Sequence, residues 1–206
     1  MDFNKLSELY EQLEKTSSGN ELRSILAEFF KTVKKEDIGM VAQLVLGKIA
    51  PDYESSVLGF AEKSVLKAIS KASAKSRTEV TQMFKIKGDA GLVAQEVFKK
   101  KPITLIPVGK LTVKDLYQTL HKIVKITGSG TQEIKTNHLV NLYQKCSSGL
   151  CAKYLTRIVL GTMRLGVADM TVLDALAIAF ASGKQDKAIL EHAFNVDPDV
   201  GHIAKV

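Results

Sequence analysis

The sequence predicts an all-α domain of about ten to twelve helices, and three observations lead to this prediction. Apolar residues recur at intervals of three and four along most of the chain, the spacing of one face of a helix. Only Thr104–Val108 has a strand-like pattern, and Pro102 and Pro107 bracket it as in a linker. The composition of the 206 residues, 45% hydrophobic and 25% charged, is typical of a globular protein with a substantial core.

The predicted helices follow one another along the chain with short loops between them. Three amphipathic stripes are the clearest, at Phe3–Leu13, Leu22–Phe30 and Val113–Val124. The other helical segments are about 37–46, 63–73, 77–86, 90–99, 131–146, 149–160, 171–182 and 185–194.

Polar residues at several predicted helix starts favour N-terminal capping. Asp89 and Asp199 occupy matching positions and are predicted N-caps. Ser129-x-x-Gln132 and Ser18-x-x-Glu21 have the pattern of a capping box, in which a hydroxyl and a side chain three residues later satisfy each other's backbone N–H groups.

The chain resembles itself at four places about 110 residues apart, which predicts two internal copies. The matching pairs are Thr16–Gly19 with Thr127–Gly130, Met40–Gly47 with Tyr154–Gly161, Leu58–Ile69 with Leu165–Leu176, and Phe84–Ala94 with Phe194–Ala204. We expect repeat one at about 1–100, a linker at about 99–110 and repeat two at about 111–206. Together they would form a single domain, 1–206, with a pseudo-two-fold axis. Duplex DNA has local two-fold symmetry in its backbone, so such a protein can place equivalent loops on two backbone segments.

The positive charge indicates either a polyanionic partner or a lysine-rich solvated surface. The chain has 29 Lys and Arg against 22 Asp and Glu, a formal net charge of +7. The segment 99–164 contains twelve Lys and Arg residues but only Asp115 and Glu133 as acids. Nucleic acid is the first polyanion to consider. Charge alone does not choose between the two interpretations.

Several function classes find no support in the sequence. The longest apolar run, Ala175–Ala181, is far shorter than the ~20 residues that span a bilayer, so no membrane partner is expected. Cys146 and Cys151 predict neither a disulfide framework nor a metal site, and the four histidines lack metal-ligand spacing. Neither a G-x-x-x-x-G-K-[ST] phosphate loop nor a Lys-x-Asp-Gly nucleophile motif occurs. We therefore expect no catalytic residue, no metal and no cofactor in this chain.

Two glycine-containing loops are the candidate nucleic-acid contacts. Thr127–Thr131 precedes a helix whose N-terminal N–H groups and dipole favour a phosphate, although a plain N-cap has the same pattern. Gly161–Gly166 places Arg164 between glycines that permit close approach of a ligand, and an ion pair of Arg164 with Asp169 is the structural alternative. The full set of candidate DNA-binding residues is Ser17, Ser18, Gly19, Lys48, Gly59, Thr127, Gly128, Ser129, Gly130, Thr131, Lys135, Lys153, Arg157, Gly161, Thr162, Arg164 and Gly166.

Six segments, in their order and spacing, are typical of one known family. They are Ser64–Ala68, Lys87–Ala94, Ile126–Gly130, Ala152–Arg157, Gly161–Ala168 and Thr171–Ala175. On these segments the chain resembles the N-terminal DNA-binding domain of ATP-dependent DNA ligases of the archaeal and eukaryotic replicative type. The resemblance covers essentially the whole chain, and the start at residue 1 without an extra tail is more similar to the archaeal members.

The resemblance implies a non-catalytic domain that grips nicked double-stranded DNA through the minor groove and the backbone. Nick sealing in replication, recombination and repair would then fall to an adenylation domain and an OB-fold domain, both absent from these residues, with ATP and Mg²⁺ as cofactors of the parent enzyme. The resemblance places Thr127–Thr131 and Gly161–Gly166 at the DNA. Thr162 departs from the family, because eukaryotic members often carry a basic residue there.

The resemblance also implies partners and a location. We expect the catalytic domains of the same ligase and a sliding clamp as protein partners. The expected location is the cytoplasm, at the nucleoid, in an archaeon, or the nucleus in a eukaryote. The alternative function from another class is an α-helical repeat scaffold that binds protein partners.

Overall fold

The computed structural model describes residues 1–54, 56–73, 75–100, 109–181 and 184–206. Over these ranges the chain forms twelve α-helices and no β-sheet, which confirms the predicted all-α class. The helices are α1 (Phe3–Leu13), α2 (Gly19–Lys31), α3 (Lys35–Val45), α4 (Glu62–Ala72), α5 (Arg77–Lys87), α6 (Ala90–Val97), α7 (Val113–Lys125), α8 (Thr131–Lys145), α9 (Gly149–Leu160), α10 (Asp169–Phe180), α11 (Lys184–Val196) and α12 (Val200–Ile203). None of the helices in the described ranges combines the length and the apolar character that a membrane span requires.

Every helical segment predicted from the sequence is present, with ends that differ by a few residues at most. Only α12 was not predicted, because four residues are too few to show a helical period. The strand-like segment Thr104–Val108, and with it most of the predicted linker, lies outside the described residues.

The predicted aspartate caps are confirmed. Asp89 accepts a hydrogen bond from the N–H of Leu92 at 2.9 Å and begins α6. Asp199 accepts from the N–H groups of Gly201 and His202 at 2.8 and 3.1 Å and begins α12.

The helices form two compact units, and each unit joins helices from both halves of the sequence. Unit 1 contains Met1, Glu8–Ser56 and Met163–Val206. Unit 2 contains Asp2–Ser7 and Val57–Thr162. Each unit therefore combines part of the first predicted copy with part of the second.

The first predicted copy contains α1–α6 and the second contains α7–α12. When the helices are numbered from one to six within each copy, the same pairings occur inside both units. In unit 1, α2 packs on α10 and α3 packs on α12. In unit 2, α8 packs on α4 and α9 packs on α6. In both units the second helix of one copy meets the fourth helix of the other, and the third meets the sixth. This parallel supports the two-copy hypothesis, whereas the pseudo-two-fold axis stays a prediction.

The packing of α9 on α6 in unit 2 depends on a glycine at the start of α9. A Cβ atom at Gly149 would lie 2.3 Å from the carbonyl oxygen of Gln95 in α6, well inside van der Waals contact. The core of unit 2 also contains the buried rings of Phe98 and Tyr143, which stack with centroids 5.2 Å apart. Absence of a side chain at Gly149 therefore lets the start of α9 approach the backbone of α6 closely.

We expect Gly149→Ala to destabilise the protein by about 1–3 kcal/mol, because the added methyl group meets a backbone oxygen that cannot rotate away. Denaturant unfolding followed by circular dichroism measures this change. Gly19→Ala is the matched control, because its new methyl group would meet only the flexible end of Arg23 at 3.2 Å. Equal unfolding free energies for Gly149→Ala and the wild type would contradict the packing argument.

Candidate nucleic-acid interface

In unit 2, the candidate phosphate loop Thr127–Thr131 leads directly into α8. Gly128 and Gly130 have φ values of +107° and +78°, a region that favours glycine. Gly130 is the N-cap, and no side chain caps this helix. The hydroxyl of Thr131 donates back to the carbonyl of Gly128 at 3.0 Å, which tightens the turn. Residues 127–130 are exposed, so the start of a 15-residue helix is accessible to an anion.

The predicted capping box at Ser129 is wrong. The left-handed conformation of Gly130 moves the start of the helix one residue further, so Ser129 lies outside the capping position. The side-chain amide of Gln132 donates instead to the carbonyl of Gly59 at 3.3 Å.

The second predicted capping box, at the start of α2 in unit 1, forms only in part. Ser18 caps the helix by accepting from the N–H of Glu21. The Glu21 carboxylate, however, accepts from the hydroxyl of Thr16 at 2.5 Å, and that hydroxyl oxygen in turn accepts from the N–H of Ser18.

Lys135 belongs to α8 and Gly59 lies beside this helix, but only Gly59 faces solvent. Lys135 is 8% exposed, and its ammonium donates to the carbonyl of Leu58 at 3.2 Å. This bond and the one from Gln132 hold residues 58–59 against the first turns of α8. The structure therefore brings Gly59 towards the candidate phosphate loop. The ammonium of Lys135 instead forms a hydrogen bond within unit 2.

Lys153 and Arg157 also direct their cations into unit 2. Lys153 is 5% exposed, and its ammonium lies 3.2 Å from the Tyr154 hydroxyl and 4.7 Å from the centre of the Tyr154 ring. The Arg157 guanidinium donates to the carboxylate of Asp89 at 2.9 Å. Neither side chain presents its charge to a ligand at the surface.

The contact of Arg157 with Asp89 fixes the start of α6. Partial burial opposes ionisation of Asp89, but the hydrogen bond from the Leu92 N–H and the nearby Arg157 outweigh it, so the pKa of Asp89 is lowered from its ordinary value. The carboxylate thus caps α6 and binds α9 at the same time.

The loop after α9 begins with a helix terminus that requires glycine. Gly161 has a φ of +65°, and the N–H of Thr162 donates to the carbonyl of Arg157 at 2.9 Å, as in a Schellman motif. After Thr162 the chain passes from unit 2 into unit 1. There Leu165 is buried and anchors the loop, while Arg164 and Gly166 are exposed.

Arg164 is not the partner of Asp169. Asp169 lies 3.5 Å from the ammonium of Lys48 instead. In the part of the chain that the structure describes, no carboxylate lies within 4.0 Å of the Arg164 guanidinium. The structural alternative for Arg164 is therefore not supported, and this arginine extends from unit 1 with an uncompensated charge.

The other candidates of unit 1 lie around the starts of α2 and α10. Ser17, Ser18 and Gly19 are exposed. Lys48 binds Asp52 at 2.7 Å and Asp169 at 3.5 Å. Partial burial lowers the pKa of Lys48, but the hydrogen bond to Asp52 and the charge of Asp169 outweigh it and raise the pKa. Lys48 is thus held by two carboxylates.

Two lysines near the candidate phosphate loop were missed in the sequence. Lys67 and Lys71 of α4 both bind Glu133, which lies in the first turn of α8. Their spacing of four residues, which places both on one face of α4, was the signal that could have found them.

No arrangement for a metal ion is found in the described ranges. There, His, Cys, Asp and Glu side chains do not form a group of three or more that could hold one.

A family model described as the DNA ligase N terminus matches residues 2–177. The chain belongs to the DNA ligase N-terminal family. The resemblance inferred from its motifs is thereby confirmed, and both candidate loops lie within the matched residues of this ligase N-terminal domain.

Similar proteins in three organisms are DNA ligases. The chain is 38% identical over 206 residues to the DNA ligase of Nitrosopumilus maritimus (strain SCM1), 41% over 213 residues to DNA ligase 2 of Thermofilum pendens (strain DSM 2475 / Hrk 5), and 39% over 215 residues to the DNA ligase of Acidianus ambivalens. Each match covers 100% of this chain but only 35% or 36% of the relative. The ligase N-terminal domain thus spans about a third of the length of these relatives.

We expect Arg157→Gln to destabilise the protein by about 1–2 kcal/mol, because it leaves the Asp89 carboxylate without its cation. The pKa of Asp89 is lower in the folded chain than in the unfolded chain, so this stabilisation is complete at neutral pH and is lost as the pH falls through the folded pKa. The difference from wild type should therefore shrink below about pH 4. Denaturant unfolding at several pH values measures it.

Arg77→Gln is the control for Arg157→Gln, because Arg77 is exposed and, among the described residues, forms no ion pair. It should leave the unfolding free energy unchanged at every pH. A loss of stability in Arg157→Gln that does not depend on pH would contradict the role assigned to the ion pair.

Proposed function

We propose that this chain is the non-catalytic DNA-binding domain of an ATP-dependent DNA ligase and that it binds nicked double-stranded DNA through the minor groove and the backbone. The observation that carries the proposal is the state of Arg164. It is exposed, has no carboxylate partner in the described part of the chain, and lies between two glycines with φ values of +65° and +67°. A cation on such a loop can approach a nucleic-acid backbone closely.

The minor groove suits an arginine in this position. Its hydrogen-bond pattern is degenerate, so a side chain there responds to groove width and negative potential more than to base identity. A ligase domain needs this kind of recognition, because nicks occur in any sequence. In unit 2, the exposed start of α8 at Thr127–Thr131 offers N–H groups to a phosphate without reading a base.

The remainder of the enzyme carries the chemistry in this proposal. The relatives are named DNA ligases and are almost three times as long as the match, which leaves room for the adenylation and OB-fold domains. Those domains would use ATP and Mg²⁺ to seal the nick that this domain holds, in replication, recombination and repair. A sliding clamp is proposed as a further partner.

Arg164→Ala should weaken binding to nicked duplex by about 1–3 kcal/mol, the scale of a charge-assisted contact. The melting temperature should stay unchanged, because the side chain has no carboxylate partner within the described ranges. The dependence of the logarithm of affinity on the logarithm of salt concentration should become shallower by up to about one unit if Arg164 neutralises a phosphate. Fluorescence anisotropy with nicked and intact duplexes at two salt concentrations measures these effects.

Arg77→Ala is the matched control for Arg164→Ala, since it removes the same charge from an exposed helix of unit 2. Equal losses of affinity in both variants would show that only the overall charge matters. A wild-type chain that binds no duplex at either salt concentration would favour the protein-binding scaffold instead.

The chain alone should form no covalent adduct with the adenylyl group of ATP, because its sequence contains no Lys-x-Asp-Gly motif. Incubation with α-labelled ATP and Mg²⁺, followed by denaturing electrophoresis, checks this expectation. Label retained on a lysine would contradict the assignment of a non-catalytic role.

A further inference from the structure

Lysines recur at every fourth residue from the start of α4, at Lys63, Lys67, Lys71 and Lys75. The first three belong to α4, where this spacing places them along one face of the helix. Lys75 follows the end of α4 and binds Glu79 at 3.0 Å. The stripe therefore contains two lysines, Lys67 and Lys71, that are directed at α8.

Both lysines converge on a single acid. The ammonium of Lys67 lies 2.7 Å from one carboxylate oxygen of Glu133, and the ammonium of Lys71 binds the other oxygen. The two hydrogen bonds lower the pKa of Glu133 to about 2, so the carboxylate is ionised throughout the neutral range. Two positive charges thus share one negative charge.

The place of this cluster in the fold connects it to the candidate phosphate loop. Glu133 is the third residue of α8, and the loop Thr127–Thr131 forms the start of the same helix. The positive end of the helix dipole adds to the two ammonium charges. Without Glu133, these groups would form an entirely positive surface beside the loop.

The cluster is accessible to a ligand. The side chains of Lys67 and Lys71 are each 39% exposed, and that of Glu133 is 50% exposed. A phosphate oxygen is, like a carboxylate oxygen, a charged acceptor for an ammonium group. Glu133 therefore makes contacts with the two ammonium groups that a phosphate can also make.

We propose that Lys67 and Lys71 form a second phosphate-binding site of unit 2, next to Thr127–Thr131, and that Glu133 is its internal competitor. The inference rests on the proposed DNA binding and extends it to residues of α4. In the free protein Glu133 keeps the two ammonium groups close together in spite of their mutual repulsion. When duplex DNA binds, a backbone phosphate shares or replaces that carboxylate.

Because Glu133 competes with DNA phosphate for the two lysines, the proposal predicts an unusual direction for one change in affinity. Replacing an acidic residue with a neutral one should improve binding, but only while both lysines are present. A purely structural bridge between α4 and α8 would behave differently, because its removal would lower the melting temperature and leave the affinity of the folded protein for DNA unchanged.

The experiment measures binding of the 206-residue chain to nicked duplex at several salt concentrations. Glu133→Gln should tighten binding about two- to fivefold, the scale of an exposed charge interaction. Lys67→Gln combined with Lys71→Gln should weaken binding and make the salt dependence shallower by up to about 0.9 unit, the contribution of one neutralised phosphate. Adding Glu133→Gln to this double variant should change nothing further.

Two controls match these variants in charge. Glu96→Gln removes an acid that pairs with Lys99 at 2.8 Å in the same unit. Lys85→Gln combined with Lys87→Gln removes two exposed lysines from α5. Thermal melting of every variant shows that binding is measured on folded protein.

The outcomes separate the two proposals. If wild type binds no duplex, the proposed function itself fails. If wild type binds and Glu133→Gln has no more effect than Glu96→Gln, the site on α4 is rejected while DNA binding stands. The site on α4 would also be rejected if Glu133→Gln improved binding in the absence of Lys67 and Lys71. Equal losses of affinity in the two double-lysine variants would reject it as well.

Discussion

The close approach between the third and sixth helices of opposite predicted copies is the constraint that positions Gly161 and Gly47, the glycines that follow the third helices. In unit 2, Gly149 lets α9 reach the backbone of α6, and Arg157 binds the aspartate that caps α6. In unit 1, a Cβ at Gly39 would lie 2.5 Å from the carbonyl of Gly201, and Gln43 donates to the capping Asp199 at 2.8 Å. The two helices held in this way are α9, which is followed by Gly161, and α3, which leads to Gly47. A close backbone contact in each unit therefore sets where the segments that follow α9 and α3 begin.

Four of the cations in the candidate set are buried or paired and are therefore not available for a ligand. Segment 99–164 has a large positive excess in sequence, yet Lys135 and Lys153 are buried and Arg157 is bound to Asp89. Lys48, in unit 1, is held between two carboxylates. What remains for an anion in the candidate set is Arg164 together with backbone N–H groups at the start of α8. Position and pairing, more than the number of lysines, decide which residues can contact a polyanion.

Local sequence information was sufficient for most of the fold and insufficient for most of the site. Helical periodicity found every long helix because apolar residues recur at helical spacing along each of them, and Asp89 and Asp199 were recognisable as caps because capping is a contact over two or three residues. The box at Ser129 failed because the left-handed conformation of Gly130 is not visible in a residue pattern. The internal roles of Arg157 and Lys135 depend on residues 68 and 77 positions away along the chain, so no local pattern could indicate them.

The distribution of each unit over both halves of the sequence has a consequence for folding. During synthesis from the N-terminus, unit 2 is complete once Thr162 has been made, whereas unit 1 must wait for residues 163–206. Until then the faces of α2 and α3 that later meet α10 and α12 have no partners and remain open to non-native association. Cutting the chain between residues 99 and 110 would separate the helix pairs of both units. The two halves of the sequence are therefore not independent folding units. Formation of unit 1 requires closure of a loop of more than 100 residues.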